Sequence, residues 1–288
     1  MKRGLHPCLI FCLLLACISA KAAELTGVDL RYATDSNPAK AEFDRDIEAV
    51  SSVLVRLTGN LFATEPLSTE VIRGGLSFNA SGSFEHNIDN EALGESRYRV
   101  SVDWFRELRK STASPFFRAS LALGYLDSET QRRDGPILDA STSVNFQPTN
   151  FFDTTLGLQS EIRDADTDVF DTSKLTVFLT ANFSPTPRIV FRTGFRFVTG
   201  DEVSSATPTV NIVSNAQIIE PDEAFSSAEA DRFAYLINAS SAIAEAGIGY
   251  SLTGTIQANL LYRFVTTDAD GDISYDRELL EFTIGIDL

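Results

Sequence analysis

RELLEFTIGIDL, residues Arg277–Leu288, places Leu280, Phe282, Ile284, Ile286 and Leu288 on every second position, with Glu281, Thr283, Gly285 and Asp287 between them. A repeat of two marks an extended strand, because successive side chains point to opposite sides of the backbone. One face of this strand is wholly apolar and the other polar. Working back along the chain, the alternation returns in segments of about ten residues separated by turns, the pattern that a transmembrane antiparallel β-barrel requires. The cleanest case is Leu76, Phe78, Ala80, Gly82 and Phe84, interleaved with Ser77, Asn79, Ser81, Ser83 and Glu85.

Twelve such segments are predicted, near residues 26–32, 45–57, 76–85, 98–104, 117–125, 138–146, 152–162, 175–183, 189–197, 233–252, 256–264 and 277–288. In the tenth, Phe233, Tyr235, Ile237 and Ala239 carry the apolar face. The phase then slips near Ala242–Glu245 and resumes as Ala246, Ile248 and Tyr250. This reads as one long strand with a bulge, or as two strands. The connections alternate. Those near 35–44, 86–95, 127–136, 164–172, 200–231 and 268–276 are long and acidic, and those near 108–114, 148–150, 184–187 and 253–254 are short. Long outside and short inside is the outer-membrane pattern, and it puts both chain ends on the periplasmic side. A soluble β-sandwich or a lipid-carrying barrel also alternates. Strands in globular sheets, however, average about five or six residues, and here aromatics gather near segment ends (Tyr32, Phe84, Trp104, Tyr125, Phe152, Phe183, Tyr250) as an interfacial girdle does.

The terminal strand resembles the C-terminal strand of bacterial outer-membrane barrel proteins, with Leu288 where those usually carry Phe. The resemblance is to a structural class. It implies an up-and-down barrel of about twelve strands in a bacterial outer membrane, in contact with membrane lipid and lipopolysaccharide.

Residues 1–22 read as a secretory signal peptide, and 23–288 as the barrel domain. Lys2 and Arg3 precede the apolar run Leu9–Ile18, and Ala20-Lys21-Ala22 offers a small-x-small cleavage site. Leu14-Leu15-Ala16-Cys17 also resembles a lipobox, in which Cys17 would be lipidated. All three cysteines (Cys8, Cys12, Cys17) fall in this leader, so the remainder has no disulfide, thiolate metal site or cysteine nucleophile. The net charge of −16 argues against a nucleic-acid partner.

If the apolar faces meet lipid, the polar faces line a lumen. Arg31, Arg56, Arg73, Arg97, Arg99, Arg118, Arg163, Lys174, Arg192, Arg196 and Arg263 are expected there, opposed by Asp29, Glu48, Asp103, Asp139, Asp153, Glu161, Glu281 and Asp287. Arginine keeps its charge and grips carboxylates or phosphates with paired hydrogen bonds. The lumen is therefore expected to lean basic and to favour anionic small solutes such as acidic sugars. Arg97, Arg99, Arg118, Arg192, Arg196 and Arg263 are the candidate pore-lining set, and Arg192 and Arg196, flanking Gly194, the candidate constriction. The bland reading of the same residues is a set of salt bridges packing a closed interior.

Two acidic runs, Asp164, Asp166, Asp168, Asp171 and Asp268, Asp270, Asp272, Asp276, have carboxylate spacings that can hold Ca²⁺ or Mg²⁺, though neither has the Gly and Glu positions of an EF-hand loop. No other cofactor is implied. The insertion between Gly200 and Asp231 carries an apolar stretch, Val210–Ile219, expected to fold inward as a plug or to pack as an external hairpin. The alternative to a channel is a closed structural or adhesive barrel whose acidic outer loops bind a surface partner or divalent ions. An outer-membrane lipid hydrolase is the weakest reading. Catalysis is not expected, because His86 is the single histidine outside the leader and Ser83, three residues away, falls on the opposite face.

Overall fold

The computed structural model describes residues 24–63, 74–108, 115–226 and 231–288. The expected leader with its three cysteines lies outside these residues, as does Arg73. Thirteen strands appear in chain order: β1 (Glu24–Asp35), β2 (Val50–Ala63), β3 (Gly74–Asn87), β4 (Glu95–Glu107), β5 (Phe116–Ser128), β6 (Gly135–Thr149), β7 (Phe152–Arg163), β8 (Thr172–Thr186), β9 (Ile189–Ala206), β10 (Ile218–Pro221), β11 (Phe233–Ser251), β12 (Ile256–Ala269) and β13 (Ile273–Asp287). Twelve of them form an antiparallel barrel in which each strand pairs with its sequence neighbour. The wall closes where β1 meets β13, Leu30 opposite Ile284 and Tyr32 opposite Phe282. β9 pairs directly with β11, from Tyr250 opposite Ile189 to Phe233 opposite Ala206. β10 is a short addition on the edge of β11 above the end of β12. Closure removes the free sheet edge that no strand can leave exposed in lipid.

The outward face is apolar around the whole circumference. Leu30, Leu57, Phe84, Leu123, Leu156, Leu179, Phe195, Ile248, Leu260 and Phe282 all lie exposed. A water-soluble protein does not leave such a belt uncovered; acyl chains must cover it. Aromatic rings collect at its lower margin, where Trp104 meets Phe117 edge to face at 5.7 Å and Phe183 stacks on Phe191 at 6.4 Å. Leu179 sits mid-strand on β8 between Leu156 and Phe195. Its replacement by Arg is expected to cost about 2–4 kcal/mol, the midplane value for a charge on the lipid face. Urea titration of the barrel folded into vesicles measures this, with Thr180→Arg, on the lumen face next door, expected to be nearly silent.

Three expectations about elements change. The second strand begins at Val50 rather than near Arg45, because Asp44–Asp46 form a 3-10 turn within the preceding loop. β11 is a single strand whose register with β9 and β12 runs without a shift, so there is no bulge near Ala242–Glu245. What changes there is the surroundings. Tyr235 and Ile237 point inward above the membrane, into a core of packed loops, whereas Ala246, Ile248 and Tyr250 point outward into lipid. The apolar face swaps sides while the backbone keeps its period. The last outer connection is also much shorter than expected. β12 and β13 run well above the membrane and are joined only by residues 270–272, with Gly271 and Asp272 at positive φ (81° and 58°).

Candidate functional site: the lumen and its cap

Inward-facing side chains build a continuous band of alternating charge around much of the wall. Arg196 on β9 lies 3.5 Å from Glu245 on β11, which is 3.4 Å from Arg263 on β12. Arg263 reaches Glu281 on β13 at 2.6 Å; Arg31 on β1 reaches the same carboxylate at 3.3 Å and Glu85 on β3 at 3.0 Å. Ser52 on β2 ends the series by donating to Glu85 at 2.6 Å. The local sequence permits this because an inward position recurs every second residue on each strand, and antiparallel register lines those positions up at one height. Gly194, between the two candidate constriction arginines, has a specific purpose. A Cβ there would lie 2.5–2.8 Å from the Glu245 carboxylate, so the missing side chain leaves the space that Glu245 occupies.

The other half of the wall is looser. Arg99 lies 3.6 Å from Asp139 and Arg118 3.8 Å from Asp103. Arg192, lower on β9, hydrogen-bonds Asn182 at 3.2 Å and has no carboxylate partner among the described residues; Arg56, across from Asp29 in the sheet, makes no ion pair among them either. In each ion pair facing the lumen the cation is the more exposed member. The side chains of Arg99 and Asp139 are 46% and 14% exposed, those of Arg118 and Asp103 61% and 13%, and those of Arg196 and Glu245 36% and 2%. Length explains this: the short acid stays at the wall and the long guanidinium ends in the lumen.

All six candidate pore-lining residues, Arg97, Arg99, Arg118, Arg192, Arg196 and Arg263, fall on inward-facing strand positions. The expected surplus of basic residues is corrected, however. Asp35, Glu85, Glu95, Glu202 and Glu245 also face inward, while Glu48 sits in an outer loop with its side chain 68% exposed. Glu245 lies where the apolar pattern changes sides, so period two places it on neither face. Arg192 and Arg196 do not stand together as a constriction: Arg196 belongs to the charge band and Arg192 lies below it.

The element that enters the lumen is instead the connection 36–49. Asn37 is fully buried and folds this loop back on itself, donating to Ala41 O at 2.9 Å and accepting from Ala41 N at 3.0 Å. Lys40, at φ 56°, directs its ammonium to Glu202, which also receives Lys174 at 2.9 Å. Burial pushes the Lys40 ammonium down to about 8, with Glu202 opposing that drop. Ala39 and Ala41 of this loop pack with Ala206, Ile212, Phe225, Tyr235, Ile237 and Ile273 in a buried apolar core. The insertion contributes a short helix, α1 (Val210–Asn215), and the β10 hairpin edge to this cap, so it packs externally and is not a plug in the lumen. Arg133 fastens the cap through Nη2, which donates to both carboxylate oxygens of Asp222 (2.8 and 3.1 Å), and its guanidinium lies over the rings of Phe170 and Phe225 at 4.8 and 5.7 Å. Beneath the cap are two cavities of about 250 and 230 Å³ that share Lys40, Glu161, Lys174 and Glu202.

The acidic runs are not gathered. Among the described residues no group of three or more His, Cys, Asp or Glu stands close enough to hold a metal ion. Asp268 and Asp276 lie on the two strands flanking the tight turn that holds Asp270 and Asp272. Asp164 and Asp166 lie in the connection before a 3-10 turn that contains Asp168, whose Val169 and Phe170 are buried. His86 lies exposed on the outer face beside Val53, while Ser83 faces the lumen.

A closed twelve-stranded barrel with an apolar belt and a charged lumen is an outer-membrane β-barrel protein, and the outer membrane is where such a belt is stable. Among solved structures, the COG4313 outer membrane channel from Pseudomonas putida F1 shares this fold over 92% of the present chain and 96% of its own, with a TM-score of 0.56 at 9% identity. The NanC porin aligns over 91% of this chain and 100% of its own (TM-score 0.49, 8% identity), and the KdgM porin over 91% and 99% (TM-score 0.45, 5% identity). No protein-family model matches the chain, and comparison with curated proteins finds no sequence relative.

Proposed function

We propose that this protein is a narrow diffusion channel of the outer membrane that favours small anionic solutes and is restrained at its outer mouth by the cap. The observation that carries the reading is the exposure order within the lumen ion pairs. The acids are withdrawn to the wall, and a solute passing through meets guanidinium tips. A pore selects by the groups that reach its water, not by the formal sum of its lining. The likeness of fold to an outer membrane channel supports the pore, and the separation of His86 from Ser83 across the wall supports a non-enzymatic role.

Planar-bilayer recording tests it. In a KCl gradient the reversal potential is expected to lie toward the chloride equilibrium value. The triple replacement Arg99→Ser, Arg118→Ser, Arg192→Ser is expected to bring it to zero or reverse it. An unchanged potential in the triple variant sinks the role of these tips.

The closed-barrel reading draws on the buried core of the cap and on the charge band. It predicts no conductance steps even when the cap is released.

A further inference from the structure

The 230 Å³ cavity beneath the cap has five cationic side chains in its wall, Lys40, Arg97, Arg133, Arg163 and Lys174, against two carboxylates, Glu161 and Glu202. Four of the five cations are engaged. Lys40 and Lys174 share Glu202, Arg97 lies 3.0 Å from Glu95, and Arg133 is held by Asp222. Arg163 is different. Among the described residues no carboxylate lies within ion-pair distance of its guanidinium. Among the described residues its guanidinium hydrogen-bonds only from Nη2 to the backbone oxygen of Arg133, and its Nε, like that of Arg133, is buried without a partner. Glu95 and Glu161 act on it only from beyond ion-pair distance, against Arg97 and Arg133 beside it, and a guanidinium so short of counter-charge calls for an anion from outside.

The rest of the wall says which kind. Ile137 stands directly across from Arg163 on β6, and Phe170, Val203 and Phe225 complete the apolar side. Of the two hydroxyls in the wall, Ser205 already donates to Asp222, which leaves only Thr172. A polyhydroxylated acid would find Thr172 and the Glu161 carboxylate for its hydroxyls, fewer uncommitted partners than the groups it carries, and Glu161 opposes its charge. The volume lies below the ~300–1,000 Å³ of pockets for drug-sized ligands.

We propose that Arg163 anchors a binding site for a small organic carboxylate with an apolar body, held beneath the cap. This rests on the channel reading above and narrows its solute class.

Calorimetric titration of the full, detergent-solubilised barrel with sodium benzoate tests it, with sodium glucuronate and inorganic phosphate as rivals. Benzoate is expected to bind more tightly than either rival, and Arg163→Gln to weaken it at least tenfold. Ile137→Glu offers Arg163 an internal carboxylate, and is expected to abolish benzoate binding while the thermal unfolding of the barrel stays at or above the unmodified value. This second variant decides the matter if Arg163→Gln does not fold. Absence of benzoate binding, equal binding in both variants, or tighter binding of glucuronate or phosphate overturns the site. Binding in detergent needs no conduction, so bilayer recordings on the same preparation report separately on the channel.

Discussion

Arg232→Ala is expected to free the cap. The Arg232 side chain is 7% exposed and donates to the backbone oxygen of Asp46 at 2.7 Å and to Glu48 at 3.2 Å, with the 2%-exposed Asp46 carboxylate 3.9 Å from its Nε. It thereby ties the segment before β11 to the loop that enters the lumen. Removing it leaves the backbone oxygen of Asp46 without this donor and the Asp46 carboxylate dependent on Thr207 (2.8 and 3.2 Å) and the exposed Arg45. Breaking a buried pair on one side costs about 3–5 kcal/mol. At 1.4 kcal/mol per factor of ten, the population with the cap open rises by roughly 10²-fold to several thousandfold. Two measurements read this: chymotrypsin cleavage near Phe43 and Phe225 in the folded barrel, and the size of single-channel steps. Both are expected to increase, while Arg232→Lys, which keeps the charge but not the fork of donors, falls between. Cleavage and conductance indistinguishable from the unmodified protein would show that the cap is held by its apolar core alone.

Glu245→Gln should have the second largest effect, and in two readouts of different kinds. Glu245 neutralises both Arg196 and Arg263 from a position 2% exposed to water. Without it, two guanidinium groups face each other across the space left by Gly194. They are 36% and 27% exposed and retain lumen water, so the loss in stability should fall at the low end of the ~3–5 kcal/mol for a broken buried pair. The lumen also gains one net positive charge, so preference for anions should rise. Adding Arg263→Gln to Glu245→Gln removes the repulsion, and the double variant is expected to be more stable than the single one. A double variant whose losses simply add would show that Glu245 and Arg263 do not act as a pair.

Much of the barrel was legible in the residues themselves. Period two finds all twelve wall strands, the second starting at Val50 rather than near Arg45, and within the membrane it assigns the outward set, from Leu30 to Leu280, to lipid. The errors share one cause. Alternation reports which face is apolar, and it reads as lipid-facing only where lipid is the neighbour. Above the membrane Tyr235 and Ile237 are apolar because they pack under the cap, so their phase looked like a slip. Loop composition misled in the same way. The Asp268–Asp276 run looked like a long acidic loop, but the strands simply continue past the membrane, where polar residues are free to occupy both faces.

The partners inside the lumen were not legible. Arg31 and Glu281 are 250 residues apart in sequence, Lys40 and Glu202 are 162 apart, and Arg232 and Asp46 are 186 apart. By itself, the sequence determined the number of wall strands and, below the cap, the face each turns to lipid, because these follow from backbone geometry repeated every two residues. Only the tertiary structure decided that the loop 36–49 turns into the lumen, that the insertion packs into a cap, and which carboxylate each arginine meets. Those depend on register and closure, which bring to one height side chains that no local pattern relates.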